Sequence, residues 1–265
     1  MTEAFGEAVT DDGRDTVKRL LVVQHQVDGG LGRLRPHLEA ASADLDVDLR
    51  RPDLGDPLPA DLDGLDGLVV LGGSMAAWED ERAPWLPHTR ALLARAVDES
   101  VPLLGICLGA QLLALATGGR VERGAAGIEA GLSDIRPTAD ATGDALMAAL
   151  PEGGFRAAQG HHDAIIELPP GAVLLATGEL YRHQSYRVGD GAWGVQYHPE
   201  VTADDFDAWM REDAEVLAVT GRDAPAIARE VRAADAELEG LAAAHARGFL
   251  DVVRGVATGA VPAAG

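Results

Sequence analysis

Several residue types are scarce in this chain of 265 residues, and each scarcity excludes a class of protein. A single cysteine rules out an internal disulfide and any metal site built from several thiolates. Basic residues are also few, since 22 Lys and Arg face 43 Asp and Glu, giving a net charge of −21. An acidic surface of this kind repels phosphate backbones and anionic headgroups, so we expect no nucleic-acid partner and no membrane-surface partner.

Long apolar runs are lacking as well. No stretch approaches the 18 consecutive apolar residues of a membrane-spanning helix. Residues 1–17 are polar and have neither the basic nor the apolar segment of a secretion signal, so we expect them to form a disordered leader. Hydrophobic residues nevertheless make up 47% of the chain, which is enough for a full core. We therefore expect a folded cytoplasmic protein that acts on a small neutral or zwitterionic molecule.

Hydrophobic patterning in the first half alternates between short buried strands and helices. The predicted strands are residues 19–24, 47–49, 67–71 and 102–106, and the predicted helices are residues 31–42, 84–99 and 108–116. This repetition predicts an α/β fold with a mostly parallel sheet and helices on both faces. After residue 119 the strands become shorter, which favours mixed or antiparallel additions to the sheet.

Beyond Glu200 the pattern becomes helical. Thr202 and Asp205 resemble a capping box that opens one helix, and a second helix is predicted to begin near Asp223. The second helix carries an apolar stripe formed by Ile227, Val231, Leu238, Leu241 and Phe249. Two interpretations of the stripe remain open here, namely packing on its own domain or a contact between subunits, including a homodimer.

The single cysteine lies between two glycines in Gly105-Ile106-Cys107-Leu108-Gly109. Small residues two positions before and after a nucleophile allow the sharp strand-to-helix turn that exposes it. Such a turn places the sulfur at a helix N-terminus, where free N–H groups and the macrodipole favour the thiolate. The N–H of Leu108 would then point toward an oxyanion formed on an attacked carbonyl. The motif by itself is also compatible with a cysteine that merely packs in the core.

A histidine and a glutamate two positions apart follow another predicted strand, in Tyr197-His198-Pro199-Glu200. Residues two apart in extended chain face the same side, so Glu200 can accept from one imidazole nitrogen while the other faces outward. This is the base and orienting acid that activate a nucleophile such as Cys107. Gly72-Gly73 ends a further strand where α/β sheets place their ligands, and its backbone can bring a second N–H to the oxyanion.

Taken in order, three segments resemble the signature segments of class I, triad-type glutamine amidotransferases. They are Gly72-Gly73, Gly105 to Gln111, and Tyr197 to Val201, and the resemblance spans residues 19–201. It favours stand-alone proteins similar to the amidotransferase domain of GMP synthase. The resemblance implies a flavodoxin-like domain over residues 18–201, with residues 202–265 as a C-terminal helical extension.

The resemblance also implies a mechanism that uses no cofactor. Cys107 would attack the side-chain amide of glutamine, His198 would protonate the departing ammonia, and Glu200 would complete the triad. A γ-glutamyl thioester would form, and water would hydrolyse it.

Further site residues follow from the resemblance by position. Gly73 and Leu108 match the donors of the oxyanion hole. The residues implied to contact the substrate are Gly72, Gln111, His161 and Asp163. The segment 159–163 resembles a Ser-His-Gly-Asp stretch of the family, but Gly160 stands in place of the Ser and His162 in place of the Gly. Side-chain contacts in that segment are therefore open.

The remaining histidines indicate no metal site, because they lack carboxylates or thiols at ligand spacing. His25 and Asp28, which follow the first predicted strand, are expected at the rim of the site rather than as ligands.

Three hypotheses for function remain open at this point. A synthetase would need an ATP site, but the sequence has neither a GxxxxGK[ST] loop nor a Ser-Gly-Gly-x-Asp-Ser loop. We therefore expect that any transfer of the ammonia to an acceptor takes place on a separate synthetase chain. The first hypothesis is a glutaminase that supplies such a partner. The second is a hydrolase of another γ-glutamyl amide. The resemblance favours glutamine instead, because γ-glutamyl hydrolases of the family often carry Arg and Glu where this chain has Leu108 and Gln111. The third is a regulatory or binding protein whose triad does not turn over.

Overall fold

A nine-stranded sheet organises residues 17–255, which are the residues that the computed structural model describes. The strands are β1 (Lys18–Val23), β2 (Leu45–Arg50), β3 (Gly67–Val70), β4 (Leu103–Ile106), β5 (Arg120–Arg123), β6 (Glu129–Pro137), β7 (Phe155–His161), β8 (Asp163–Glu167), β9 (Val173–Thr177), β10 (Ser185–Val188) and β11 (Ala192–Val195). The helices are α1 (Leu34–Ala40), α2 (Leu86–Asp98), α3 (Leu108–Ala116), α4 (Ala203–Glu212), α5 (Ala214–Val219), α6 (Ala224–Ala233) and α7 (Asp235–Val253). The predicted leader, apart from Val17, lies outside the described residues.

The order of strands in the sheet is β2-β1-β3-β4-β11-β10-β9-β6-β7, and β5 and β8 form a separate two-stranded sheet. Strands β2, β1, β3, β4 and β11 are parallel, whereas β10, β9, β6 and β7 are added antiparallel. The predicted α/β fold, with a parallel first half and antiparallel additions, is therefore confirmed.

Both faces of the parallel half are covered by helices, and the strand sequences explain why. Successive side chains of a strand point to opposite faces. In β1, Leu20 and Val22 join the core that contains α1 and α7, while Leu21 and Val23 join the core that contains α2 and α3. All four residues are fully buried, as expected of a continuous apolar run in a parallel sheet.

Parallel pairing brings three chain segments to one edge of the sheet. β4 lies between β3 and β11, with Val70 beside Gly105 and Val195 beside Ile106. The carboxyl ends of these strands lead directly into Gly72-Gly73, Cys107 and the segment that contains His198. A single antiparallel bridge also joins His198 to Ala158 of β7, whose carbonyl accepts from the His198 N–H at 2.9 Å.

The helices after Glu200 differ from the prediction in number, because both predicted helices are divided. The first ends as α4 at Glu212, and α5 begins at Ala214. The Asp205 N–H donates to Thr202 Oγ1 at 3.2 Å, so the predicted cap at the start of α4 is confirmed. The second predicted helix is divided at Ala234, which has φ −91° and ψ 14° and separates α6 from α7. Neither glycine nor proline marks this break, so the local sequence carries no signal for it.

The apolar stripe of these helices is buried within the chain's own core. Val231, Leu238, Leu241 and Phe249 are all at most 5% exposed, and Ile227 packs partly buried against them. Helix α6 lies against β6, and α7 lies against α1 and β7. The interpretation of the stripe as a subunit or homodimer contact is therefore wrong, because other parts of the same chain already cover its apolar surface.

Within residues 17–255, no helix combines the length and the apolar character needed to cross a bilayer.

Packing of α7 predicts a large effect of truncating its buried aromatic side chain. Phe249→Ala should lower the free energy of unfolding by about 3–5 kcal/mol, because it leaves a cavity in the core. Val219→Ala is the control, since Val219 is 89% exposed at the end of α5 and should change stability by less than about 0.5 kcal/mol. Urea denaturation followed by circular dichroism measures both. Equal effects of the two substitutions would contradict the packing of α7 on the core.

Candidate active site

Cys107 occupies a strained turn between β4 and α3. Its φ is +49° and its ψ is −103°, a conformation that L-residues rarely adopt and that often marks a functional position. The flanking glycines are required by close backbone contacts. A Cβ on Gly105 would lie 2.6 Å from the Gly109 carbonyl oxygen, and one on Gly109 would lie 2.0 Å from the Val70 carbonyl oxygen. The sharp turn predicted from the sequence is therefore present.

His198 and Glu200 form a buried pair on the segment that follows β11. The His198 Nδ1 lies 2.7 Å from Glu200 Oε1, as their spacing of two predicted. Among the described residues, His198 Nε2 has no hydrogen-bond partner. A Cβ on Gly72 would lie 3.2 Å from His198 Cε1 and 3.7 Å from Cys107 Cβ, so Gly72 lies beside both the imidazole and the cysteine.

The environment of His198 favours its protonated form. Burial lowers the pKa of His198, but the Glu200 carboxylate and the Cys107 sulfur outweigh burial and raise that pKa from 6.5 to about 10. An imidazolium held between a carboxylate and a sulfur can donate a proton to a group leaving from a carbon bonded to that sulfur.

The predicted oxyanion-hole residues meet beside the cysteine. A Cβ on Gly73 would lie 2.7 Å from Met75 Sδ and 2.9 Å from Leu108 Cδ2, so Gly73 and the first residue of α3 are in close contact. The loop that carries Gly73 is anchored at the next residue, Ser74, whose N–H donates to Gln26 Oε1 at 2.6 Å. In the part of the chain that the structure describes, the N–H groups of Gly73 and Leu108 donate to no protein acceptor. They remain available to a developing oxyanion.

A cavity of about 220 Å³ opens at this point of the sheet. The predicted site residues that line it are Gly73, Cys107, Gln111, His161, Asp163 and His198. Gly72, Leu108 and Glu200 do not line the cavity but contact residues that do. Within residues 17–255, no group of three or more His, Cys, Asp or Glu side chains could hold a metal ion.

Gln111 and His161 are fixed by contacts within the protein. Gln111 Nε2 donates to the Asp163 carbonyl at 3.0 Å and to Gln196 Oε1 at 3.2 Å. The ring nitrogens of His161 lie 2.8 Å from the Asp163 carbonyl and 3.1 Å from Glu129 Oε2. Both nitrogens of His161 are therefore occupied, which leaves the backbone of this segment as its means of contacting a ligand.

Asp163 faces the cavity beside a cation that sequence reasoning missed. Its Oδ1 lies 3.1 Å from Arg123 Nε, on the neighbouring strand β5. Burial raises the pKa of Asp163, and the Arg123 guanidinium opposes this rise. Arg123 could not be found from the sequence, because only the pairing of β5 with β8 brings it next to Asp163.

His25 is not at the rim of the site, so that expectation is wrong. It is fully buried, and Trp85 Nε1 donates to its Nδ1 at 3.0 Å. Burial lowers the pKa of His25 to about 4, so the imidazole is neutral at pH 7. The partner Trp85 directly precedes α2 and lies 60 positions away from His25 in the sequence. Asp28 is half-buried and accepts from Gln26, which lines the cavity.

Helix α4 supplies a wall of the cavity that was not predicted. Trp209 packs against His198, with ring centroids 4.7 Å apart and an interplanar angle of 61°. Asp213, at the end of α4, lies 3.0 Å from His162 Nε2. Trp209 lies on α4 and Asp213 is the residue that caps its C-terminus, four positions later, a spacing that could have been found once the capping box had placed the helix.

Comparison with known proteins identifies the family. The sequence profile of glutamine amidotransferase class-I matches residues 38–215. The chain belongs to this family. The resemblance noted from the three sequence segments is therefore confirmed, and the family and its named relatives support an enzyme of the amidotransferase or hydrolase type.

Relatives within the family have different names. One of them, a subunit of the glutamine-hydrolyzing GMP synthase of Natronomonas pharaonis, is 38% identical over 168 residues, which are 62% of this chain and 82% of that protein. Gamma-glutamyl peptidase 5 of Arabidopsis thaliana is 33% identical over 146 residues, or 54% of this chain. The match spans 57% of the plant peptidase, less than two thirds of its length. A solved glutamine amidotransferase from Thermotoga maritima is 28% identical, with a TM-score of 0.75 over 90% of this chain and 98% of that one.

Replacement of Glu200 by Gln should lower the pKa of His198, because the amide removes the charge that favours the imidazolium. NMR titration of the His198 ring, assigned with His198→Asn, should show a wild-type pKa near 10 and a clearly lower value in Glu200→Gln. Glu99→Gln, a substitution on an exposed helix end, is the control.

The same pair predicts how stability depends on pH. The pKa of His198 is higher in the folded protein than its ordinary value of 6.5. The protonated imidazole therefore stabilises the folded state fully below pH 6.5, and this contribution to the free energy of unfolding is lost as the pH rises toward 10. Stability should therefore fall over this range less steeply in Glu200→Gln than in the wild type. An unchanged His198 pKa in Glu200→Gln would contradict the assignment of Glu200 as its partner.

Proposed function

We propose that this protein hydrolyses the side-chain amide of glutamine to glutamate and ammonia. The observation that carries the proposal is the convergence at one cavity of Cys107 and a His198 whose Nδ1 is held by Glu200. Nucleophile, base and orienting carboxylate are the elements of acyl transfer through a covalent intermediate.

In the first half of the proposed reaction, the Cys107 thiolate attacks the amide carbon of glutamine. The carbonyl oxygen becomes an oxyanion, and the N–H groups of Gly73 and Leu108 stabilise it. Collapse of this intermediate breaks the carbon–nitrogen bond, and His198 donates its Nε2 proton to the leaving nitrogen. Ammonia departs, and a γ-glutamyl thioester remains on Cys107.

In the second half, water enters beside the thioester. Neutral His198 takes a proton from this water, which attacks the thioester carbon through the same oxyanion hole. The carbon–sulfur bond breaks, glutamate is released, and the thiolate and imidazolium are restored. We assign Gly72, Gln111, His161 and Asp163 to the site that holds the substrate, with His161 acting through its backbone.

We place the use of the ammonia on a separate synthetase chain. Similarity to a relative named as a subunit of a glutamine-hydrolyzing GMP synthase supports this assignment, since 82% of that relative's length is matched.

A second candidate is hydrolysis of a larger γ-glutamyl amide by the same triad. Its support is the similarity to a gamma-glutamyl peptidase together with the composition of the cavity mouth. Glu79, Arg82, Arg123 and Glu212 all line the cavity. Charged side chains around the reaction centre can contact a leaving group larger than ammonia.

Cys107→Ser should abolish turnover, because a serine hydroxyl is not ionised by a neighbouring imidazolium. We expect a loss of at least about a thousandfold in kcat. Ammonia release from glutamine and amine release from γ-glutamylmethylamide and glutathione measure it, and thermal melting checks that the variant is folded. Hydroxylamine should trap the wild-type thioester as the γ-glutamyl hydroxamate and should trap nothing on Cys107→Ser.

The ratio of kcat/KM values decides between the two candidates. A higher value on glutamine, alone or with a synthetase present, supports the glutaminase, and a higher value on the substituted amides supports the second candidate. Failure of the wild-type protein to cleave any of these amides, with the synthetase present, would overturn both.

A further inference from the structure

The segment 159–163 departs from the Ser-His-Gly-Asp pattern at two positions, and both departures face helix α4. Gly160 stands in place of the serine, and a Cβ there would lie 3.2 Å from Trp209 Cε3 and 3.5 Å from Cζ3. His162 stands in place of the glycine, and its Nε2 lies 3.0 Å from Asp213 Oδ1. One replacement makes room for the indole of Trp209, and the other ties the end of the same helix to the segment.

Helix α4 is firmly anchored where it carries Trp209. The Thr202 side chain caps its first turn, and Phe206 and Met210, which flank Trp209 along the helix, are at most 1% exposed. Trp209 itself is half-buried and lines the cavity. A ring carried by a fixed helix can act as a fixed wall.

The imidazole of His198 needs more than its bond to Glu200 to keep one orientation. The contact between His198 Nδ1 and Glu200 Oε1 holds one atom of the ring, and packing contacts must hold the rest of it. Gly72 closes one side, since a Cβ there would lie 3.2 Å from His198 Cε1. Trp209 closes another, at a centroid distance of 4.7 Å. Together these contacts restrict the swing that would turn Nε2 away from Cys107.

We infer that Trp209 is a positioning residue that holds the His198 imidazole toward Cys107. We also infer that the indole of Trp209 requires glycine at position 160, because a larger residue there would displace it. The inference rests on the proposed function for its kinetic consequences. The effect of Trp209 on the Cys107 and His198 pair is independent of the substrate, because the indole packs against His198 before any substrate binds.

Trp209→Ala tests the inference by kinetics. Loss of orientation should lower kcat by about tenfold or more, while KM changes by less than about threefold. Trp209→Phe keeps an aromatic ring and should retain at least about a third of kcat. Trp78→Ala is the matched control, because Trp78 is 44% exposed and does not line the cavity. A rise in KM at constant kcat in Trp209→Ala would overturn the positioning role in favour of substrate contact.

Alkylation of Cys107 gives a readout that needs no turnover. An imidazolium that faces the sulfur attracts the anion iodoacetate but not neutral iodoacetamide, so the ratio of the two alkylation rates at one pH reports how well the imidazolium faces the sulfur. We expect this ratio to fall by about threefold or more in Trp209→Ala. Greater access to the cysteine would change both rates but not their ratio. An unchanged ratio would overturn the inference even if every γ-glutamyl amide proved inactive, which separates this result from failure of the proposed function.

A double-mutant cycle covers the case in which Trp209→Ala does not fold. Gly160→Ala should displace the indole and lower the ratio of the iodoacetate and iodoacetamide alkylation rates in the wild-type background. In Trp209→Phe, which lacks the second ring that contacts Gly160, the same substitution should have little effect. An equal effect of Gly160→Ala in both backgrounds would overturn the inference that the indole of Trp209 requires glycine at position 160.

Discussion

The close approach of the turn after β4 to the carbonyl of Val70 is the constraint on which the site depends. Only glycine fits at position 109, because a Cβ there would lie 2.0 Å from that carbonyl oxygen. The approach lets β4 end and α3 begin within one residue, and it holds Cys107 at a positive φ. Cys107 and the N–H of Leu108 are thereby directed toward the same cavity as His198. Parallel pairing of β3, β4 and β11 supplies the remaining alignment.

Whether a feature could be predicted from the sequence depends on how far apart in the sequence its interacting residues lie. The sequence signals for Cys107 with its glycines, and for His198 with Glu200, lie within two positions of each residue, so local backbone geometry predicted these arrangements. The contact that requires glycine at position 109 is made with the distant Val70 carbonyl and could not be predicted in this way. The parallel half of the sheet was predicted from apolar runs, which reflect burial on both faces. The open interpretation of the C-terminal stripe could not be decided in this way, since periodicity shows that a face is apolar but not what covers it.

The features that were missed or wrong depend on contacts between distant segments. His25 is buried beside Trp85, which lies 60 positions away and donates to it. Arg123 meets Asp163 only through the pairing of β5 with β8. The departures at Gly160 and His162 had no explanation in their own segment, because the residues that they contact lie on α4 and at its C-terminal cap. In each case the decisive partner could have been any of many side chains until the topology was known.

The bridge between Ala158 and His198 has a consequence for the shape of the sheet. β7 is the last strand of the order β11-β10-β9-β6-β7, yet its Ala158 bonds to the residue that lies three positions beyond β11. The antiparallel half therefore closes into a hydrogen-bonded ring, and the backbone of His198 is the link that completes it. A slip of register anywhere around this ring would move His198. The pairing of the antiparallel strands therefore helps to fix the position of His198 relative to Cys107.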